Sequence, residues 1–232
     1  MPESMSAEQF IQALEDTAQE TRDVDREEAF NAIPMRQIFA LAKQFMTMPP
    51  KEIEKLLESP FHKVRVGAVS IMDWQARDKK TSEEQRKELY DLYIKRHDRI
   101  DNWDLVDRSA PFVVGRYLSD KPRDILYILA RSENPWERRT AIVATDYFIR
   151  QADVDDTFKI AELLVDDPHD LVQKAVGGWV RQAGTKDLQK LLSFLDKYAA
   201  TMPRTILRYA IEHLNPEQRE HYLSLKRSSG TS

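Results

Sequence analysis

Apolar residues recur along almost the whole chain at the three- and four-residue spacing of amphipathic helices, and the alternating runs typical of strands are missing. Prolines interrupt this pattern at Pro34, Pro49-Pro50, Pro60, Pro122, Pro135, Pro168, Pro203 and Pro216. Because proline has no N–H to lose in a first turn, these positions predict helix starts. Ser6-x-x-Gln9 and Thr81-x-x-Glu84 have the spacing of capping boxes. The pattern predicts an all-α protein of about a dozen helices, each of roughly 9–17 residues, joined by short loops.

Four of the prolines also mark a repeat. After each of them a basic residue follows four to six positions later and a small residue comes next; the pairs are Pro60 with Ala68, Pro135 with Ala141, Pro168 with Ala175, and Pro203 with Ala210. The intervals between these prolines are 75, 33 and 35 residues, so the first spans two periods, and Asn102-Trp103 falls where the missing repeat begins. A period near 35–40 residues with two helices per unit is typical of HEAT-like repeats. We therefore predict a curved α-solenoid of HEAT-like helix pairs forming one domain over residues 1–232, with frayed ends at 1–5 and 228–232.

Basic residues recur early in the second helix of successive units, at Arg65, Arg108, Arg139, Lys174 and Arg208. Stacked units would bring them roughly into register, which predicts a concave basic face suited to a phosphate backbone. The same residues could instead stabilise the repeats through ion pairs with neighbouring carboxylates, and the repeat alone does not decide between the two. Residues 1–30 carry a net charge of −7 and the remainder +3, so a mild positive excess is left for such a face.

Several kinds of chemistry lack their motifs. There is no cysteine, the five histidines show no metal-ligand spacing, and there is no glycine-rich phosphate loop, Walker motif or nucleophile elbow. We therefore expect neither a metal nor a cofactor. No stretch approaches the roughly 18 consecutive apolar residues of a membrane span, and no basic region precedes an apolar one at the N-terminus. The expectation is a cytoplasmic protein with no membrane partner.

The most informative pair is Trp103 and Asp107, which are four residues apart and therefore share one helix face. An aromatic ring beside a fixed negative charge suits a flat cationic substrate or a cationic transition state. In the alternative interpretation, Trp103 packs in the core and Asp107 pairs with Arg108 or Arg131. Asp104 lies about 100° round the helix from Trp103, where we expect it to cap the helix or support the pair.

Two further tryptophans are candidates for nucleic-acid contact. Trp136 follows Pro135 at a helix start, where it could stack on a nucleotide or pack between repeats. Trp179 follows Gly177-Gly178, whose missing side chains allow either a ligand or a neighbouring helix to approach closely.

Four stretches together resemble the AlkD-like DNA glycosylases, the DNA alkylation repair family built from HEAT-like repeats. They are NWDLVDRSA at 102–110, SENPWERRTA at 132–141, DDPHDLVQKA at 166–175 and MPRTILRYAIE at 202–212, and the resemblance covers roughly residues 30–226. It implies excision of N3- and N7-alkylated purines from duplex DNA without a metal or cofactor, on a base that stays in the duplex. By the same resemblance Asp107 is the catalytic carboxylate, Trp103 the aromatic wall beside the lesion sugar, and Arg139 a contact to the phosphate backbone.

The chain departs from the family at Gly178, where relatives carry a tryptophan directly after the first glycine. Here the indole comes one position later, at Trp179, about 100° round the helix. We assign catalysis to Asp107 and Trp103, and DNA contacts to Arg139, Trp136, Arg138, Lys174, Trp179, Arg181 and Arg208. The expected protein is a monomeric glycosylase whose partner is duplex DNA containing alkylated purines. The alternatives are a DNA-binding relative without catalysis and a HEAT-like scaffold for protein interaction.

Overall fold

A computed structural model describes residues 5–18 and 25–225, and within them every regular element is helical, with no strand. The prediction of an all-α protein is confirmed. The ends predicted to fray, 1–5 and 228–232, lie outside the described residues except for Met5. The α-helices are α1 (Ala7–Ala18), α2 (Arg26–Ala32), α3 (Met35–Gln44), α4 (Pro50–Leu57), α5 (His62–Arg77), α6 (Glu83–Lys95), α7 (Trp103–Ala110), α8 (Asp124–Leu129), α9 (Pro135–Val143), α10 (Asp146–Ile149), α11 (Asp155–Leu163), α12 (Asp170–Gly184), α13 (Leu188–Tyr198), α14 (Arg204–Ala210) and α15 (Pro216–Ser224). Short 3₁₀ turns at His97–Arg99 and Tyr117–Asp120 and a π-helical turn at Pro111–Gly115 complete the elements.

Prolines mark helix starts at five of the eight predicted sites, whereas at Pro60, Pro122 and Pro168 the helix begins two residues later. Pro50, Pro135 and Pro216 are the first residues of α4, α9 and α15, and Pro34 and Pro203 occupy the N-cap positions of α3 and α14. The first N–H groups of a helix have no acceptor within the helix. A proline at these positions therefore loses no hydrogen bond and does not destabilise the helix.

One of the two predicted capping boxes is correct and the other is displaced by one residue. The Ser6 N–H donates to Gln9 Oε1 at 2.9 Å, and the Gln9 N–H donates to Ser6 Oγ at 3.2 Å. The second box is wrong at Thr81, because Ser82 and Gln85 form it instead. The Thr81 hydroxyl donates to the Gln75 carbonyl at 2.7 Å, which ties it to the end of α5 and leaves the cap to the next residue.

The chain divides into two compact units, one ending at Tyr117 and the other beginning at Leu118. In the first unit α5 packs against α3, α4, α6 and α7, while α1 packs against α2, α3 and α4. The Phe10 ring fills the space that a side chain at Gly67 would need, which seats α1 on α5. That residues 1–232 form one domain remains a prediction.

In the second unit α12 is the central helix, with α9 and α14 packed against it and α11 and α13 also in contact. At Gly177 the helices α12 and α14 approach almost backbone to backbone. A Cβ at this glycine would lie 2.6 Å from both the Ile206 carbonyl oxygen and Tyr209 Cβ. The small residue therefore sets how closely these two helices pack. No helix in the described part of the chain is both long and apolar enough to cross a bilayer.

Candidate catalytic face and nucleic-acid interface

Trp103 and Asp107 lie on the solvent side of α7. The opposite side of this helix is buried through Leu105 and Val106, whereas Asp107 is exposed and Trp103 is 47% exposed. The indole is therefore not a core residue. One turn separates it from the carboxylate, so the two groups form one exposed face, which we call the Trp103–Asp107 face.

The start of α7 is fixed by hydrogen bonds on both sides of Trp103. The Asn102 Oδ1 accepts from the Trp103 N–H at 2.8 Å, and Asp104 Oδ1 accepts from the Leu105 N–H at 3.0 Å. The other Asp104 oxygen lies 2.8 Å from Nε2 of His62, at the start of α5. Asn102 is thus the N-cap of α7, while Asp104 satisfies a further N–H of the first turn and, through His62, orients the turn that carries the indole.

Arg108, the residue after Asp107, is anchored inside the first unit. Its guanidinium lies 3.1 Å from the fully buried Asp73 carboxylate, 4.4 Å from the centre of the Phe39 ring and 5.3 Å from that of Trp74. Burial lowers the pKa of Arg108, an effect that the Asp73 charge opposes. Asp73 also binds Arg77 at 2.7 Å, so one buried carboxylate holds two arginines. This cluster fixes the rotation of α7 directly beside Asp107.

Two members of the predicted row of cations therefore form ion pairs within the first unit. Arg108 is bound to Asp73, and Arg65, itself buried, donates to Asp101 at 3.0 Å and to the carbonyls of Ser59 and Pro60. For these two residues the geometry favours the alternative of ion pairs that stabilise the repeat.

In the second unit the neighbours Arg138 and Arg139 also make internal contacts. Arg138 Nε lies 2.5 Å from the Asp167 carboxylate, and its NH1 donates to the carbonyls of Ser132 and Glu133 at 2.9 Å. Arg139 is only 7% exposed and donates to the Leu171 carbonyl in the first turn of α12. Both guanidinium groups thus join α9 to the region around the start of α12.

Three cations of the second unit are closer to solvent. Lys174 is 41% exposed and lies 2.6 Å from Asp170, and the hydrogen bond to that carboxylate raises the pKa of Lys174. Arg181 on α12 forms an ion pair with Glu212, in the turn that follows α14. Arg208 is exposed, and within the described residues it has no ion pair. Lys174 and Arg208 are therefore the accessible part of the predicted basic row, and Arg181 is a predicted DNA contact outside that row.

The two candidate tryptophans of this unit are both half-buried. Trp136 packs edge-to-face on the His169 ring, with 5.4 Å between ring centres, and so bridges the starts of α9 and α12. Trp179 lies on α12 beside Gly178, and a Cβ at Gly178 would have no atom within 4 Å. The position directly after the first glycine of α12 is therefore open space in this chain.

Residues 8–214 match the sequence profile of a family described as DNA alkylation repair enzymes. The chain belongs to this family. A comparison with curated proteins finds no match. Membership in the DNA alkylation repair enzyme family indicates an enzyme that acts in DNA repair, with DNA as its partner. The matched residues include the Trp103–Asp107 face and every cation discussed above.

The sequence analysis did not single out two residues that lie close to the proposed site residues, Asp73 and Tyr209. Asp73 is one charge among many in the chain, and only the tertiary contacts reveal that it anchors α7. Tyr209 is 38% exposed on α14 beside Arg208, and a large aromatic next to the predicted row of cations was the available signal. In the described ranges 5–18 and 25–225, no group of three or more His, Asp or Glu side chains is arranged to hold a metal ion.

Proposed function

We propose that this protein is a DNA glycosylase that hydrolyses the N-glycosidic bond of N3- and N7-alkylated purines in duplex DNA, without a metal or cofactor. One observation carries the proposal: an exposed carboxylate lies one turn from a half-exposed indole, on a rigidly anchored helix, in a chain of the DNA alkylation repair family. Asp107 is the proposed catalytic residue and Trp103 the aromatic wall.

The chemistry needs little from the protein because alkylation has already made the purine cationic. When the bond from C1′ to the base breaks, its electron pair neutralises the leaving purine and positive charge develops on the deoxyribose. Water then adds to C1′ and gives up a proton to the carboxylate or to solvent. A carboxylate beside the sugar stabilises the developing charge and orients the water. The face of Trp103 adds a cation–π attraction of roughly 0.5–2 kcal/mol.

The second unit is proposed to bind the DNA backbone. Lys174, Arg181 and Arg208 supply accessible positive charge, and Trp136 and Trp179 are half-buried aromatic residues of the same unit. Each phosphate contact made by such a cation adds a salt-dependent increment of affinity. In this proposal Arg138 and Arg139 act mainly by holding the start of α12, and the phosphate contact assigned to Arg139 remains a prediction. HEAT-like helix pairs in a curved solenoid with a basic concave face, acting as a monomer in base excision repair, belong to the same proposal.

The experiment is to incubate the protein with a methylated duplex and to measure released N7-methylguanine together with abasic sites. We expect release by the wild-type protein and loss of most of it in Asp107→Asn, with duplex binding retained. Asp91→Asn is the matched control, because Asp91 is an exposed carboxylate of the same unit in a surface pair with Lys87. Unimpaired release by Asp107→Asn would remove this residue from the mechanism.

A second candidate function is DNA binding without catalysis, which the open space at Gly178 favours because the tryptophan expected there from the family resemblance is absent. Salt-dependent duplex binding with no abasic sites would support it. If the protein does not bind duplex DNA even at low salt and recovers a protein partner instead, it is an interaction scaffold.

A further inference from the structure

Tyr209 presents an exposed phenol on a rigid base. Its side chain is 38% exposed, and within residues 25–225 its hydroxyl has no hydrogen bond. Its Cβ occupies the space that a side chain at Gly177 would need, so Tyr209 packs directly against the backbone of α12. The Tyr209 side chain is thus partly open to solvent next to the closest approach of α12 and α14.

Lys174 lies on the side of α12 that carries the contact between Gly177 and Tyr209. It precedes Gly177 by three residues and Gly178 by four, and residues at these spacings are neighbours on a helix surface. The Tyr209 phenol and the Arg139 guanidinium both lie close enough to influence the pKa of the Lys174 ammonium. A cation and a free hydroxyl donor therefore flank the α12–α14 junction.

Gly178 leaves the surface between these groups open. It lies in the interior of a 15-residue helix, where glycine is unfavourable compared with alanine. Unlike Gly177, it gains no close helix contact in return, because a Cβ at Gly178 would meet nothing within 4 Å. The missing side chain therefore serves no packing need and leaves the helix surface beside Lys174 uncovered. We call Lys174, Tyr209 and Gly178 together the α12 notch.

We propose that the α12 notch seats one phosphodiester group of duplex DNA, with the Lys174 ammonium pairing with a phosphate oxygen and the Tyr209 hydroxyl donating to the same group. This inference rests on the proposed DNA binding and adds Tyr209 and Gly178 to the interface. Lysine and tyrosine side chains are common partners of phosphate oxygens, and such contacts set the register of a protein on the duplex. Asp170 holds Lys174 in the unbound protein at 2.6 Å, so the phosphate replaces this carboxylate on binding.

The test is a double-mutant cycle of Lys174→Gln and Tyr209→Phe, measured as affinity for a fluorescent duplex over a range of salt concentrations. We expect each single variant to weaken binding by about 2–10-fold, as for one lost hydrogen bond. Lys174→Gln lowers the salt slope by about one, and Tyr209→Phe leaves it unchanged. Because both side chains hold one phosphate, the double variant loses less than the product of the two single losses.

The chain supplies a matched control pair in the same unit. Lys197 Nζ lies 4.8 Å from the Tyr198 ring centre and 3.2 Å from Glu162, so Lys197→Gln and Tyr198→Phe make the same chemical changes away from the α12 notch. We expect these control variants to bind the duplex with an affinity within about twofold of the wild type. Because Lys197→Gln also removes one positive charge, all proteins are compared at the same salt concentration.

A steric probe completes the design. Gly178→Leu places its Cβ in open space and replaces glycine by a better helix former, so we expect thermal stability no lower than that of the wild type and several-fold weaker duplex binding. Independent losses in the cycle, equal losses in the control pair, or full binding by Gly178→Leu would overturn the α12 notch. Those results leave the release of N7-methylguanine untouched, whereas failure of the proposed function appears as a wild-type protein that forms no abasic sites.

Discussion

Alanine at each of the two adjacent glycines of α12 should change stability in opposite directions. At Gly178 the new methyl group enters open space, so the variant gains only the helix preference of alanine over glycine, about 0.8–1.0 kcal/mol. At Gly177 the same gain is opposed because the Cβ would lie 2.6 Å from the Ile206 carbonyl oxygen and from Tyr209 Cβ. A backbone atom cannot rotate away, so α12 and α14 must separate, and such overpacking costs about 1–3 kcal/mol.

The helix preference cancels in the comparison of the two variants, which leaves Gly177→Ala less stable than Gly178→Ala by about 1–3 kcal/mol. Urea unfolding followed by circular dichroism measures this difference, and thermal midpoints should differ by about 2–4 °C for each kcal/mol. Equal midpoints for the two variants would refute the close α12–α14 approach at Gly177. A lower midpoint for Gly178→Ala than for wild type would refute the open space at Gly178.

The buried charges of the first unit and a buried phenol of the second give two further predictions. Asp73→Asn removes the carboxylate that compensates Arg108, so we expect urea unfolding to show a loss of about 3 kcal/mol, while Asp91→Asn, in an exposed pair, stays within about 0.5 kcal/mol of wild type. Burial and a 2.7 Å hydrogen bond to Asp196 raise the pKa of Tyr222 to about 12. The unfolded chain therefore ionises this phenol first, and stability present below pH 10 should fall by about 1–2 kcal/mol as pH rises toward 12; an equally steep fall in Tyr222→Phe would contradict this assignment.

The helical period was sufficient to place Trp103 and Asp107 on one exposed face, because a four-residue spacing determines which side chains neighbour each other whatever packs behind them. The buried set of α7 then decides which face is outside, and its apolar residues are visible in the sequence. The prolines located the starts of five of the fifteen α-helices in the described residues, because a helix tolerates a missing N–H in its first turn.

The spacing of residues in the sequence could not show which cations of the predicted row are exposed and which are buried. Arg65 and Arg208 hold equivalent positions in the repeat, yet Arg65 is buried against Asp101 and Arg208 is exposed. Their burial depends on which carboxylates the neighbouring turns supply, and that is a tertiary property absent from the spacing. The capping box predicted at Thr81 was wrong for a similar reason. The Thr81 hydroxyl binds the Gln75 carbonyl, and this bond depends on how α5 ends, which the sequence spacing does not show.

Release of N7-methylguanine from a methylated duplex by wild-type protein and by Asp107→Asn tests the central claim most directly. If the exposed carboxylate stabilises the charge on the sugar, at an effective separation near 4 Å its loss costs about 1–4 kcal/mol, between the limits for bulk water and for a protein surface. The rate should then fall by roughly fivefold to a thousandfold, with duplex affinity unchanged. Equal release rates for the two proteins would contradict the account, because the carboxylate would then have no part in breaking the bond.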